Sequence, residues 1–182
     1  EGNRGVELAG KTVGIIGHGN NGSAFSKALS GMGCKVLAYD KYKKNYAPSF
    51  AEEVDMTRIF ADSDILSLHI PLTDETRDLI DKSFIKKMAN PFYFINTSRG
   101  PIAKTSAIVS GLTSGKIKGA CLDVLDIEKS SFEIDRAIDP DFLALTELEN
   151  VILSPHVAGW SVESYKKLSS ILADKILENF KA

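Results

Sequence analysis

Short, wholly apolar runs alternate along this chain with longer stretches in which apolar residues return every three or four positions. Thr12–Ile16 is apolar and brief, the pattern of a strand buried on both faces. Residues 21–29 have helical spacing and are closed by Gly31 and Gly33. Residues 35–40 predict a second strand, and 41–49 a basic loop containing tyrosine. Asp55 is placed to cap a short helix through Ala61, and 65–70 form a third apolar run stopped by Pro71. Asp81 is placed to cap a helix through Met88. Residues 92–95 predict the fourth strand, 96–101 a turn, 105–112 a helix, 119–125 the fifth strand and Val151–Leu153 the sixth. A closing helix is predicted over 161–180, with Val162, Tyr165, Leu168, Leu172 and Ile176 on one stripe. Residues 129–150 fit neither pattern; acidic and interrupted by Pro140, they read as an excursion.

Apolar strands separated by helices imply a parallel sheet covered on both faces. Right-handed crossovers make it a doubly wound α/β fold, here a single domain over residues 1–182. Ligands of such sheets bind beyond the carboxyl ends of the strands, where strand order reverses. Between the first strand and the first helix stands Gly17-His18-Gly19-Asn20-Asn21-Gly22, and Asp40 ends the second strand. This is the fingerprint of a dinucleotide-binding βαβ unit, the Rossmann fold. Gly17 permits the sharp turn, Gly19 leaves room for a pyrophosphate, and Gly22 lets helix and strand pack closely. The helix start, with Asn20 and Asn21, offers N–H groups to phosphate. Asp40 is placed to accept the ribose hydroxyls and to repel a 2′-phosphate, so NAD is expected rather than NADP. Lys41, Lys43 and Lys44 would serve a 2′-phosphate or form a solvated face.

The 182 residues suffice for one buried core, and a net charge of -2 leaves no footprint for nucleic acid or an anionic membrane. No apolar run is long enough to span a bilayer. Cys34 and Cys121 flank or lie in predicted strands and read as a reduced, buried pair. No metal-ligand spacing is present. The chain starts at Glu1 with no initiator Met or signal-like segment, and reads as a fragment.

Five ordered segments carry a family resemblance: GVELAGKTVGIIG (5–17), HIPLT (69–73), INTSRG (95–100), GACLDV (119–124) and NVILSPHVAG (150–159). Together they resemble the nucleotide domain of D-2-hydroxyacid dehydrogenases, the phosphoglycerate dehydrogenase branch most of all. Reduction of a 2-oxo acid needs a hydride, a proton for the developing alkoxide and a cation for the carboxylate. The resemblance implies His156 as acid/base, Glu128 as the carboxylate that orients it, and Arg99 as the fork that holds the substrate carboxylate. It implies that Asp123 faces the nicotinamide end, with Ala158, Gly159, Arg99 and His156 beside it. Thr97 and Ser98 would lie along the ribose, and Ile70 and Pro71 along the adenosine half. His69 reads as structural rather than as a second base, and Trp160 as packing near the site. Lys129 stands where many members have Pro, and Asn21 where an apolar residue is usual; the 129–150 excursion has no counterpart.

Family members carry a separate substrate domain, and their active site lies in the cleft between the two domains. Residues 1–10 would then be the hinge and 161–182 the helix that crosses back. The expectation is a domain that binds NAD(H) but turns over poorly by itself. A cytoplasmic homodimer acting on a small 2-hydroxy or 2-oxo acid is implied, with no nucleic-acid or membrane partner. D-3-phosphoglycerate oxidation ranks first; glyoxylate or hydroxypyruvate reduction and D-lactate oxidation are the alternatives. An NADH-sensing, corepressor-like binding module is the alternative from another class.

Overall fold

The computed structural model describes residues 5–130, 133–134 and 139–180. The first apolar run is β1 (Thr12–Ile16), followed by α1 (Asn20–Leu29) and β2 (Lys35–Tyr39). Next come β3 (Glu52–Glu53), α2 (Met56–Asp62) and β4 (Ile65–Leu68). The middle of the chain supplies α3 (Lys82–Lys87), β5 (Phe92–Asn96), a 3-10 turn (Gly100–Ile102), α4 (Thr105–Thr113) and β6 (Ile117–Leu122). β7 (Glu128–Ser130) pairs antiparallel with β8 (Glu133–Ile134), and α5 (Pro140–Thr146), β9 (Val151–Leu153) and α6 (Val162–Asn179) follow.

The main sheet has seven strands in the order β3-β2-β1-β4-β5-β6-β9, every neighbouring pair parallel. β1 pairs with β2 on one side and with β4 on the other, so the direction of winding reverses beside it. That reversal opens a crevice beyond the carboxyl ends of β1 and β4, where the glycine turn and residues 69–71 lie. The doubly wound Rossmann architecture expected from the pattern is therefore the architecture of the protein.

Aspartates set the helix starts. Asp55 accepts the Arg58 N–H at 2.9 Å and Asp81 the Phe84 N–H at 2.7 Å. Asp139 accepts from both Asp141 and Phe142, with Pro140 in the first helical turn, so part of the supposed excursion is the helix α5. Leu145 pins that helix into the main core. The rest of the excursion holds β7 and β8, with 131–132 and 135–138 outside the described residues.

The large core packs Leu66, Leu68, Phe92 and Phe94 of the sheet against Ile59, Ile85 and Ile108 of α2, α3 and α4. A smaller core on the opposite face seals Val13, Ile15 and Val36 beneath Leu29 and Phe25 of α1. One row of side chains on that second face runs Ile15, Ser67, Ile95, Cys121, Ile152 across the sheet. Ile15 and Ser67 are sealed, whereas Ile152 is 67% exposed and Cys121 is exposed beside it. Cys121 is thus not the buried thiol expected from its strand, because no described helix covers β6 and β9 on this side; Cys34 is half-buried.

Two further expectations shift. The fifth predicted strand begins earlier and ends at Leu122; Val124 and Leu125 are buried in a turn, not in the sheet. β3 went unforeseen because its two glutamates carry no apolar signal, and it pairs only at the edge, tied by Lys35–Glu52 at 2.7 Å. α6 starts with a reciprocal Ser161/Ser164 cap and buries none of its residues, leaving its apolar stripe exposed. No described helix is long and apolar enough to cross a membrane.

Candidate active site

The turn after β1 is tight at two glycines and open at the third. Gly17 has φ +92°, and a Cβ there would lie 2.8 Å from the His69 carbonyl carbon. A Cβ on Gly22 would overlap the Gly17 carbonyl oxygen. Gly19, the N-cap of α1, has no atom within 4 Å of the corresponding position. No described side chain caps α1 and no acid stands in its first turn, so the N–H groups of that turn lack a side-chain acceptor beside the open Gly19 position, with Asn20 and Asn21 exposed. This cradle fits a pyrophosphate.

Asp40 sits at the crevice end of β2. One carboxylate oxygen accepts the His18 N–H at 3.0 Å, and the other accepts Tyr42 and Lys43 N–H at 3.0 and 3.2 Å. Burial alone would raise its pKa; the three backbone donors, with Lys43 nearby, outweigh this and hold it below the ordinary value. Asp40 is therefore ionised and fixed at the crevice end of β2. Lys43 spends its ammonium on the His18 carbonyl at 2.9 Å and Lys41 on Glu75 at 2.8 Å. Both ammonium groups are thus engaged within the protein. The His18 ring is buried against Tyr46.

Beyond β5, buried Asn96 shapes the next turn. Its Oδ1 accepts the Ser98 N–H at 3.0 Å and its Nδ2 donates to the Arg99 carbonyl at 3.3 Å. The Ser98 hydroxyl donates to the Leu68 carbonyl at 2.7 Å, tying the turn to β4. Arg99 emerges exposed, bonded to the Ser98 carbonyl at 2.7 Å and, among the described residues, paired with no carboxylate. Gly100 lies so close to the Leu125 carbonyl that no Cβ would fit. The Arg99 turn and the turn leading to Glu128 are therefore locked together.

Asp123 organises the third turn. Its side chain accepts the Ser154 hydroxyl at 2.6 Å, Val157 N–H at 2.8 Å and Ala158 N–H at 2.9 Å, and its carbonyl accepts His156 N–H at 2.9 Å. His156 between them has φ +57°, a left-handed conformation that disfavours non-glycine residues. The bonds to Asp123 hold that strained residue in place. His156 Nδ1 lies 3.1 Å from Glu128 Oε2, while Glu128 Oε1 accepts Leu125 N–H at 2.7 Å. An ionised carboxylate only accepts, so Nδ1 carries the hydrogen and Nε2 is the nitrogen able to exchange a proton.

The structure brings these turns together along two adjoining hollows of about 470 and 430 Å³. Both contain Asn21, His69, Thr97 and Arg99. The first adds Asp123, His156, Ala158, Gly159 and Trp160; the second adds Ile70, Pro71 and Ser98. Glu128 touches the first only through His156, and Gly17, Gly19, Asn20, Gly22 and Asp40 form the neighbouring glycine-turn region. Asn96 and Ser154 were not foreseen; the Asn96-Thr97-Ser98 sequence was a usable turn signal, but the Ser154–Asp123 bond spans 31 positions and left none.

Asp123→Asn is expected to lose about 2–3 kcal/mol, since an amide cannot accept from donors on both sides. Burial would raise the Asp123 pKa, but the Ser154, Ala158 and Val157 bonds and His156 lower it. Its folded pKa lies below its unfolded one, so its contribution is full above about pH 4 and fades as pH falls through the folded value. Denaturant melts of both proteins at neutral and acid pH check this: the gap between them must narrow in acid.

A family model described as D-isomer specific 2-hydroxyacid dehydrogenase, NAD binding domain, matches residues 1–158. A hydroxypyruvate reductase of Thermotoga maritima is 36% identical over 96% of this chain and 55% of its own length. A D-specific alpha-keto acid dehydrogenase of Enterococcus faecalis is 42% identical over 87% of this chain and 49% of its own. The NAD-complexed structure of a D-isomer specific 2-hydroxyacid dehydrogenase from Lactobacillus delbrueckii ssp. bulgaricus superposes with a TM-score of 0.86 at 35% identity, covering 96% of this chain and 55% of that one. The chain thus spans about half the length of the curated relatives it matches. A glycine turn with an ionised acid at the next strand end, followed by Arg, Glu and His on successive turns of one crevice, belongs with these matches: the chain is a member of the D-isomer specific 2-hydroxyacid dehydrogenase family, and it is that family's NAD-binding domain.

Proposed function

We propose that this domain forms the cofactor-holding half of a dehydrogenase that reduces a small 2-oxo acid to the D-2-hydroxy acid with NADH, or runs the reverse. The observation that carries the reading is His156, held by Glu128, facing the same hollow as Arg99. When bound, NAD(H) supplies or takes the hydride. Gly17, Gly19, Gly22 and the start of α1 receive the pyrophosphate, and Asp40 the adenosine ribose. Ile70 and Pro71 flank the adenosine half, with Thr97, Ser98, Asp123, Ala158 and Gly159 toward the nicotinamide. Arg99 grips the substrate carboxylate with its planar fork. His156 hands a proton from Nε2 to the developing alkoxide, or accepts one from the alcohol, while Glu128 fixes the ring through Nδ1.

The names of the relatives favour 2-oxo acid reduction, of hydroxypyruvate or another alpha-keto acid, over phosphoglycerate oxidation. A substrate domain belongs to the same reading, so turnover is expected from protein that carries one, and cofactor binding with little turnover from residues 1–182 alone. Self-association is also part of it, supported by the exposed apolar stripe of α6 and checked by sedimentation velocity.

The test follows NADH absorbance with glyoxylate, hydroxypyruvate, pyruvate, 2-oxoisocaproate and phosphohydroxypyruvate in turn. Consumption of NADH with at least one, and about tenfold or greater preference over NADPH, is the expected result. NADH binding without turnover on any 2-oxo acid, in protein carrying both domains, would overturn the enzyme reading in favour of a sensor.

A further inference from the structure

We propose that His69 is a cofactor-binding residue of the dinucleotide site, its Nδ1–H held ready to donate to the pyrophosphate. The inference rests on reading the crevice as that site. His69 follows β4 directly at the point where strand order reverses. Its carbonyl lies against Gly17, and its Cβ would stand 3.3 Å from a Cβ on Gly22. Its ring therefore borders the turn that receives phosphate, and it lines both hollows beside Asn21 and Thr97.

The ring is held from two sides. Phe25 of α1 packs on it with centroids 5.1 Å apart, and Nε2 lies 3.0 Å from the Ser67 hydroxyl. Ser67 is completely buried, and His69 is the one partner its hydroxyl has among the described residues. A buried hydroxyl hydrogen without an acceptor is costly, so Ser67 donates and Nε2 accepts. The ring hydrogen then resides on Nδ1, which has no partner among the described residues and is left to the hollow. Burial, with His18 adding to it, pushes the His69 pKa down to about 4, so the ring stays neutral under working conditions. It serves as a fixed donor and not as an acid or base. Ser67, one of the sealed residues in the row beneath α1, thereby sets the tautomer of a residue in the crevice.

The test uses wild type, His69→Phe and the double variant His69→Phe/Ser67→Ala. Phenylalanine keeps the ring packed on Phe25 and removes the donor; the second change removes the hydroxyl it would orphan. Calorimetric titration with NADH is expected to show affinity about tenfold weaker in both variants, with melting temperatures close to wild type in the double variant. Long-range 15N spectra of wild type are expected to show the Nδ1–H tautomer at His69, with that nitrogen shifting on addition of NADH. An Nε2–H tautomer, or unchanged NADH affinity in the folded double variant, would overturn the proposal alone. Failure of wild type to bind NADH would overturn the dinucleotide reading and this proposal with it.

Discussion

Alanine at position 22 is expected to abolish measurable NADH binding and to lower the melting temperature. The added methyl would overlap the carbonyl oxygen of Gly17 and lie 3.1 Å from its carbon. Neither side can yield cheaply. Gly17 is held by its own N–H on the Tyr39 carbonyl at 2.8 Å and by a φ of +92°. Gly22 is buried in the first turn of α1, which closes the smaller core through Leu29 and Phe25. Relief requires α1 to move away from β1, carrying its N–H groups out of register with the phosphate. Overpacking of this kind costs about 1–3 kcal/mol of stability. For a chain of this size each kcal/mol is roughly 2–4 °C in melting temperature. The binding loss is expected to exceed about a hundredfold, since phosphate recognition depends on the placement of those N–H groups. Gly19→Ala separates the two effects. Its Cβ meets no protein atom, so no overpacking arises and stability falls only by the roughly 0.5–1 kcal/mol of a poorer N-cap, yet it fills the space kept for the ligand. Melting curves and NADH calorimetry on both variants check the argument, and a Gly22→Ala protein that binds NADH like wild type would refute it.

The parts of this molecule that sequence made visible are those set by neighbouring residues. β1, α1 and the turn between them follow from an apolar run, three glycines and helical spacing within about twenty positions, and the structure keeps them almost unchanged. Asp139-Pro140 was an equally local signal for α5, a capping acid before a first-turn proline, but the acidic surroundings masked it. Other features depend on partners far along the chain. The exposure of Cys121 is decided by the absence of a described helix over that one face of β6, which the strand's own composition cannot express. Glu128 and His156 lie 28 positions apart, and only family resemblance linked them beforehand. Asp123 was foreseen as facing a cofactor; its hydrogen bonds show it also holding the left-handed His156. That role arises from backbone donors more than thirty positions away, which no periodicity records.

In protein that turns over, His156→Ala is expected to reduce kcat by about 10²–10⁴-fold, the usual contribution of a positioned acid/base. Glu128→Gln tests whether the carboxylate acts through that ring. Glutamine can keep the bond from Leu125 N–H through its own oxygen, so the turn and the stability should survive. Its amide, however, presents hydrogens where Oε2 accepted the Nδ1–H. The imidazole must then either lose its partner or move its hydrogen to Nε2, the nitrogen that has to take the proton of a hydroxy acid. Misorientation of this size costs about 10²-fold in kcat, with NADH affinity little changed. The two residues touch, so their effects cannot add. The double variant is expected to be no slower than His156→Ala, because Glu128 has nothing to orient once the ring is gone. Steady-state kinetics on the two single variants and the double variant decide the matter: if their losses multiply, Glu128 acts on the substrate by a route of its own, and the positioning argument fails.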